Sequence, residues 1–151
     1  MKRLSRFAHR IRRAIARTRP KIRQDQDKTE PNSLTRAQKI LYCIDKNTPG
    51  VEIGPSYSPV APKAAGYHVH VIDHASRAEL VAKYSVHKVP VQNIEEVDFV
   101  WKGESYAELT GNPHFYNWII ASHMIEHVPN FIGFLDNCAS ILKCKMQIAK
   151  C

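Results

Sequence analysis

Two apolar segments of this chain end in polar or turn-forming residues. Their two carboxylates and one glycine have the types and the spacing of residues in a ligand-binding site. The segment 50–55 places Glu52 two positions before Gly54, and the segment 69–73 ends in Asp73, twenty-one positions after Glu52. A glycine after a strand lets the backbone approach a ligand, and a carboxylate at the end of the next strand accepts hydrogen bonds from both hydroxyls of a ribose. The spacing therefore predicts a site for a ribose-bearing cofactor.

A third segment carries polar residues after an apolar run. Residues 118–121 are apolar, and Ser122 and His123 follow them directly. In an open parallel sheet, ligands bind beyond the carboxyl ends of the strands, where the strand order reverses. We therefore expect Ser122 and His123 to meet the two carboxylates and Gly54 in one crevice. Each motif alone also has a purely structural interpretation, since Asp73 could instead cap a helix that begins at Ala75.

Strand and helix patterns alternate around these motifs. We predict strands near 50–53, 68–73, 97–101 and 115–121. We predict helices from an N-cap at Ser33 to about Asp45, across 75–84, and from about 130 to 143. Such alternation is typical of an α/β domain with a mostly parallel sheet and right-handed crossovers.

The stretch from Gly50 to about Lys143 resembles a class I S-adenosylmethionine-dependent methyltransferase domain. Three motifs carry the resemblance: Val-Glu-Ile-Gly-Pro at 51–55, Val-Ile-Asp at 71–73, and the segment Ile-Ile-Ala-Ser-His-Met-Ile-Glu-His-Val-Pro at 119–129. The last is the most specific of the three. The resemblance implies a Rossmann-like, three-layer α/β/α fold that binds S-adenosyl-L-methionine.

The resemblance also implies roles for individual residues. The cofactor loop at the methionine end would consist of Glu52, Gly54, Pro55 and Ser56. Asp73 would accept hydrogen bonds from the ribose hydroxyls, and Trp101 would lie near the adenine.

Ser122 and His123 would line the floor where the cofactor and a small-molecule or sugar-like acceptor meet. Methyl transfer mainly requires alignment of the reacting atoms, and a base only where the acceptor must lose a proton. His123 is the candidate for that base, with a floor-lining role as the alternative.

The chain departs from the family pattern at several positions. Ser56 and Ser58 stand where the family often has further glycines, and Tyr116 and Asn117 stand where it commonly has Phe-Asp. After Lys143 the family pattern expects a proline-glycine turn and more strands, whereas this chain continues for eight residues, 144–151. We therefore expect a C-terminally truncated domain with strand order 3-2-1-4.

In that arrangement strand four would form an exposed edge, which invites pairing with another chain. The alternative function is a non-catalytic, truncated methyltransferase-like fragment or partner-binding module.

Two other site classes fit parts of the sequence. His123, Glu126 and His127 match the HxxEH signature of a zinc metalloprotease, which needs both histidines on one helical face and a third ligand. Pro129 disfavours a long helix there, and we predict no metal site. A nicotinamide-binding domain would need a Gly-x-Gly-x-x-Gly loop, which Ser56 and Ser58 interrupt.

Charge separates the N-terminus from the rest of the 151 residues. Residues 1–24 contain ten lysines or arginines and no acidic residue. Residues 25–151 contain twelve lysines or arginines and fourteen acidic residues. Apolar residues at helical spacing predict a basic amphipathic helix in 1–24, followed by a linker at 25–33 and the partial domain at 34–151. The helix could pack on its own domain, lie on an anionic membrane or bind a protein. The absence of interleaved aromatics argues against nucleic acid.

Length, cysteine content and hydropathy narrow the class further. The chain has the length of one domain, with 44% hydrophobic residues, and lacks an apolar run that could span a bilayer. No secretory h-region precedes the domain, which predicts a cytoplasmic protein, with peripheral membrane attachment through the helix as the alternative. The four cysteines lack paired CxxC spacing and are expected to be free thiols.

Overall fold

The computed structural model describes residues 34–143. The predicted helix in 1–24, the linker at 25–33 and the C-terminal residues 144–151 lie outside the described residues. Among the helices that are described, none has the length and hydropathy needed to cross a membrane.

A parallel sheet of four strands forms the centre of the described region. The strands are β1 (Gly50–Ile53), β2 (Val69–Asp73), β3 (Phe99–Val100) and β4 (Trp118–Ile120), in the order β3-β2-β1-β4. The predicted α/β class and strand order 3-2-1-4 are therefore confirmed for residues 34–143. All four residues of β1 are buried, as is usual for a strand with a parallel neighbour on each side.

Four α-helices and three short 3₁₀ helices connect the strands within this region. The α-helices are α1 (Arg36–Leu41), α2 (Arg77–Tyr84), α3 (Tyr106–Thr110) and α4 (Phe131–Ile141), and the 3₁₀ helices span Lys63–Ala65, Val91–Asn93 and Ile125–His127. The predicted helices 75–84 and 130–143 correspond to α2 and α4, with boundaries shifted by one or two residues.

Capping residues decide where the first three helices begin. Thr35, Ser76 and Ser105 each accept a hydrogen bond from the backbone three residues later, and the residue there bonds back in a capping box. The N-cap of α1 is therefore Thr35 rather than Ser33, and Ser76 rather than Asp73 caps α2. No helix is predicted from the sequence between 101 and 115, although the Ser-Tyr-Ala-Glu box that begins α3 is visible there.

Helices cover both faces of the sheet. On one face, α3 and α4 pack against β1 and β2 in a cluster of buried side chains: Val51, Ile53, Ile72, Tyr106, Tyr116, Phe134, Cys138 and Ile141. On the other face, α1 and the residues after it pack against a second cluster: Ala61, Val69, Trp118 and Ile120. The core therefore lies in two layers, one on each side of the sheet.

The chain returns to the outer side of β4 after α4. Tyr116, just before β4, donates its N–H to the Ile141 carbonyl at 3.0 Å and accepts the N–H of Lys143 at 2.8 Å. These bonds make a parallel bridge between Tyr116 and Leu142. β4 is the outermost strand of the described sheet, as predicted, and backbone from 141–143 already pairs beside its start.

Candidate functional site

The carboxyl ends of the first three strands meet at one place. The Gly54 N–H donates to the Ile72 carbonyl at 2.8 Å, and the Ser56 N–H donates to the Asp73 carboxylate at 3.1 Å. The Trp101 N–H donates to the Asp73 carbonyl at 2.8 Å. The structure therefore brings together four of the predicted site residues, one or more from the end of each strand.

The loop after β1 has a conformation that favours glycine. Gly54 has φ 65° and Ser56 has φ 46°, both in the left-handed region. A Cβ placed on Gly54 would lie 3.1 Å from the Met124 sulfur, which belongs to the segment after β4. Glycine is thus favoured at 54 by its backbone angle and by this close approach, which brings the β1 loop next to the segment that follows Ser122 and His123.

The Asp73 carboxylate is buried and already holds three hydrogen bonds. One oxygen accepts the Ser56 N–H, and the other accepts the His74 N–H at 2.8 Å and contacts His74 Nδ1 at 2.6 Å. A carboxylate offers about four lone-pair positions, so two ribose hydroxyls need one of these to be vacated. The His74 ring, with half of its side chain exposed, is the group that can leave without a backbone movement.

The Glu52 side chain faces away from the place where the three strand ends meet. It is 1% exposed, and its two oxygens accept the N–H groups of Val60 at 2.7 Å and Ala61 at 3.0 Å. Burial raises the pKa of the Glu52 carboxyl, while these two bonds act in the opposite direction and nearby Glu95 adds to the increase. Glu52 therefore anchors the far end of the β1–β2 loop, which is a tertiary contact that the Glu-x-Gly pattern gave no sign of.

The residues after β4 form a second polar cluster with α1. The Arg36 guanidinium contacts His123 Nε2 at 2.7 Å and donates to the Ser122 hydroxyl at 3.1 Å. A guanidinium only donates, so we assign the His123 proton to Nδ1, which lies 3.5 Å from a Glu126 carboxylate oxygen. A hydrogen bond from its own backbone amide, together with His123 and His127, lowers the pKa of the Glu126 carboxyl.

A cavity of about 560 Å³ opens beside this cluster. That volume lies in the range of about 300–1,000 Å³ usual for small-molecule sites. Its walls come from α1, the residues after α1, β4 and the segment after β4: Arg36, Ile40, Cys43, Ile44, Trp118, Ile119, Ile120, Ala121, Ser122, His123 and Glu126. Sequence reasoning missed Arg36, because nothing in the local pattern links it to residues 86 and 87 positions away.

The predicted site residues therefore fall into separate places. Ser122 and His123 line the large cavity, whereas Trp101 lines a second, mainly apolar cavity of about 220 Å³ with Met124 and Val128. Pro55 follows Gly54 in the loop after β1 and lines neither cavity, as is also true of Glu52 and Asp73. Met124, which Gly54 approaches, lines the smaller cavity.

The HxxEH segment does not form the helix that a metalloprotease needs. Ile125–His127 is a single 3₁₀ turn, and His123 has φ 57°, so His123 and His127 do not share a helical face. Within residues 34–143, no three His, Cys, Asp or Glu side chains are grouped closely enough to hold a metal ion. This geometry does not support the metalloprotease alternative.

Comparisons with protein-family models, curated proteins and solved structures found no match to this chain.

Proposed function

We propose that this chain binds S-adenosylmethionine at the carboxyl ends of β1, β2 and β3, as a Rossmann-like methyltransferase domain does. The observation that supports this most strongly is the bond between the Asp73 carboxylate and the Ser56 N–H, which joins the acidic end of β2 to the glycine loop after β1. The order β3-β2-β1-β4 reverses between β1 and β4, where open parallel sheets bind their ligands.

The residues at these strand ends fit the proposed cofactor. Asp73 supplies a carboxylate for the ribose hydroxyls once the His74 ring turns away. The turn at Gly54 brings backbone close to the ligand position without the further glycines that a pyrophosphate would need. Trp101 offers an aromatic surface next to the apolar cavity on the adenine side.

Ser122 and His123 then line the position of a small-molecule acceptor in the larger cavity. When bound, S-adenosylmethionine supplies a methyl carbon activated by a sulfonium. The chain's own residues hold the acceptor in line with that carbon. His123 is the candidate base for an acceptor that needs deprotonation, once the Arg36 N–H that its Nε2 lone pair accepts has moved off that nitrogen.

The alternative, a non-catalytic module with the same fold, also has an observation in its favour. The Asp73 side chain is 1% exposed, and its carboxylate is already bonded to Ser56 and His74, as expected of a residue that only stabilises the loop. Cofactor affinity separates the two, because a purely structural Asp73 leaves no place for a ribose.

The test is titration of the full chain with S-adenosylmethionine by calorimetry. We expect saturable binding in the micromolar range, and a loss of at least about tenfold in Asp73→Asn, because hydrogen bonds to a charged group contribute about 1.5–3 kcal/mol each. We expect His74→Ala to bind at least as tightly as the wild type, since it removes a competitor for the carboxylate.

Asp136→Asn is the matched control, because Asp136 is an exposed carboxylate on α4 that loses the same charge. Circular dichroism checks that each variant is folded. Absence of binding by the folded wild type, or equal affinities for Asp73→Asn and Asp136→Asn, would contradict the proposal.

A further inference from the structure

Arg36 is a cation that faces the large cavity, and residues 34–143 provide no acidic partner for it. Within the part of the chain that the structure describes, its side chain contacts the His123 ring and the Ser122 hydroxyl, and neither group carries a negative charge. Among residues 34–143, no carboxylate lies within salt-bridge distance of the guanidinium. The nearest acid in the cavity wall, Glu126, is directed toward His123 Nδ1 instead.

The chemistry of the guanidinium defines what it can bind. It is always charged, and it has more N–H donors than the two used here, arranged in a planar fork that matches carboxylate and phosphate oxygens. The Ser122 hydroxyl lies at 3.1 Å from one end of the fork and can donate to the same anion. A cavity of about 560 Å³ leaves room for the molecule that carries it.

We propose that Arg36, together with Ser122, binds an oxyanion, a carboxylate or phosphate group, of the molecule that occupies this cavity. The inference rests on the proposed function for the identity of that molecule, a methyl acceptor with an acidic group, but the anion site itself can be tested without it. The same chemistry has a second source, the carboxylate of the cofactor's methionine part, and the experiment distinguishes the two.

Anion binding at Arg36 also bears on the candidate base. The guanidinium contacts His123 Nε2, so an acceptor that draws the guanidinium away from that nitrogen lies next to it and frees its lone pair to accept a proton. Arg36 is then a positioning residue for the acceptor, and His123 is the residue that contacts the reacting group.

The first experiment titrates the full chain with inorganic phosphate at constant ionic strength and follows the backbone amides of Ser122 and His123 by NMR. We expect saturable shifts with a millimolar dissociation constant, weakened up to about fivefold in Arg36→Gln, since an exposed ion pair contributes up to about 1 kcal/mol. Lys39→Gln is the matched control, because Lys39 is an exposed cation in the last turn of the same helix. Lys39→Gln should leave the shifts unchanged.

Arg36→Lys keeps the charge but not the fork, and we expect intermediate affinity. Shifts that do not saturate, or that are equal in Arg36→Gln and Lys39→Gln, would overturn the anion site.

The second experiment identifies the source of the anion by calorimetry. If Arg36→Gln weakens binding of S-adenosylmethionine but not of its decarboxylated analogue, the anion is the cofactor's carboxylate, and the acceptor assignment is overturned. If Arg36→Gln leaves both affinities unchanged while phosphate binding is lost, the acceptor assignment is supported. Phosphate binding by a chain that does not bind S-adenosylmethionine would contradict the proposed function and leave the anion site standing.

Discussion

The loop between β1 and β2 is held by one carboxylate at each end, and Glu52→Gln tests the anchor at its far end. The substitution keeps the size of the side chain and replaces one carboxylate oxygen with an amide NH₂. The N–H groups of Val60 and Ala61, now bonded at 2.7 and 3.0 Å, both need an acceptor. A glutamine can accept only one of them through its oxygen, so the other faces a donor.

Two opposing effects set the magnitude. A buried polar group without a partner costs about 1–3 kcal/mol. Removing the charge from a side chain that is 1% exposed recovers part of the desolvation cost that raises the pKa of this carboxyl. We therefore expect Glu52→Gln to lower the free energy of unfolding by about 1–2 kcal/mol at neutral pH. At about 4 °C per kcal/mol, the melting temperature should fall by about 4–8 °C.

The pH dependence has a definite sign. Because the folded-state pKa of Glu52 is raised above the ordinary 4.5, the folded protein holds this proton more tightly than the unfolded chain does. The wild type should therefore gain stability relative to Glu52→Gln as the pH falls from above the raised pKa toward 4.5. Hydrogen bonds to Ser76 and Ser105 lower the pKa values of the exposed carboxyls Glu79 and Glu108. The stability that these two carboxylates contribute is lost below pH 4.5 in both proteins, so it cancels in the difference.

The assay is urea unfolding at neutral and acidic pH, with circular dichroism as the measure of the folded fraction. Glu96→Gln is the control, because the Glu96 side chain is 80% exposed and its contact with Arg77 is a surface ion pair at 3.6 Å. The reasoning is refuted if Glu52→Gln and Glu96→Gln have the same stability, or if the difference between wild type and Glu52→Gln does not change with pH.

Two further predictions concern the core. A Cβ on Gly50 would lie 2.0 Å from the Trp118 ring, so Gly50→Ala should displace that ring and lower the free energy of unfolding by about 1–3 kcal/mol. Thermal unfolding measures the loss of stability, and tryptophan fluorescence reports the displacement of the ring. An unchanged melting temperature would contradict this prediction. Burial raises the pKa of the Cys138 thiol to about 11, so a thiol reagent at pH 8 should modify exposed Cys43 and spare Cys138 until the protein is unfolded. Peptide mass spectrometry measures the modification of each cysteine. Rapid modification of Cys138 in the folded chain would count against its burial.

Much of the fold could be predicted because its signals are local. The boundaries predicted for β1 match those observed, because a short, mainly apolar segment between Pro49 and Gly54 can be recognised from consecutive residues. The shorter extents of β3 and β4, compared with the strands expected at 97–101 and 115–121, depend on which neighbours pair with them. The five-residue α3 was missed because it is too short for a periodic apolar face.

The sequence by itself determined the order of the four strands and of the helices other than α3, and it placed Gly54, Asp73 and Ser122 at strand ends, because strand period and turn chemistry are properties of neighbouring residues. The tertiary structure decided which groups these residues face. Glu52 turns to the backbone of Val60 and Ala61, and Asp73 turns to the β1 loop, although Glu52 lies one residue before the end of β1 and Asp73 ends the neighbouring β2. Arg36 meets His123 across 87 positions of sequence, because α1 packs over the end of β4. Hydrogen-bond partners so far apart depend on strand order and helix packing, and no local pattern encodes them.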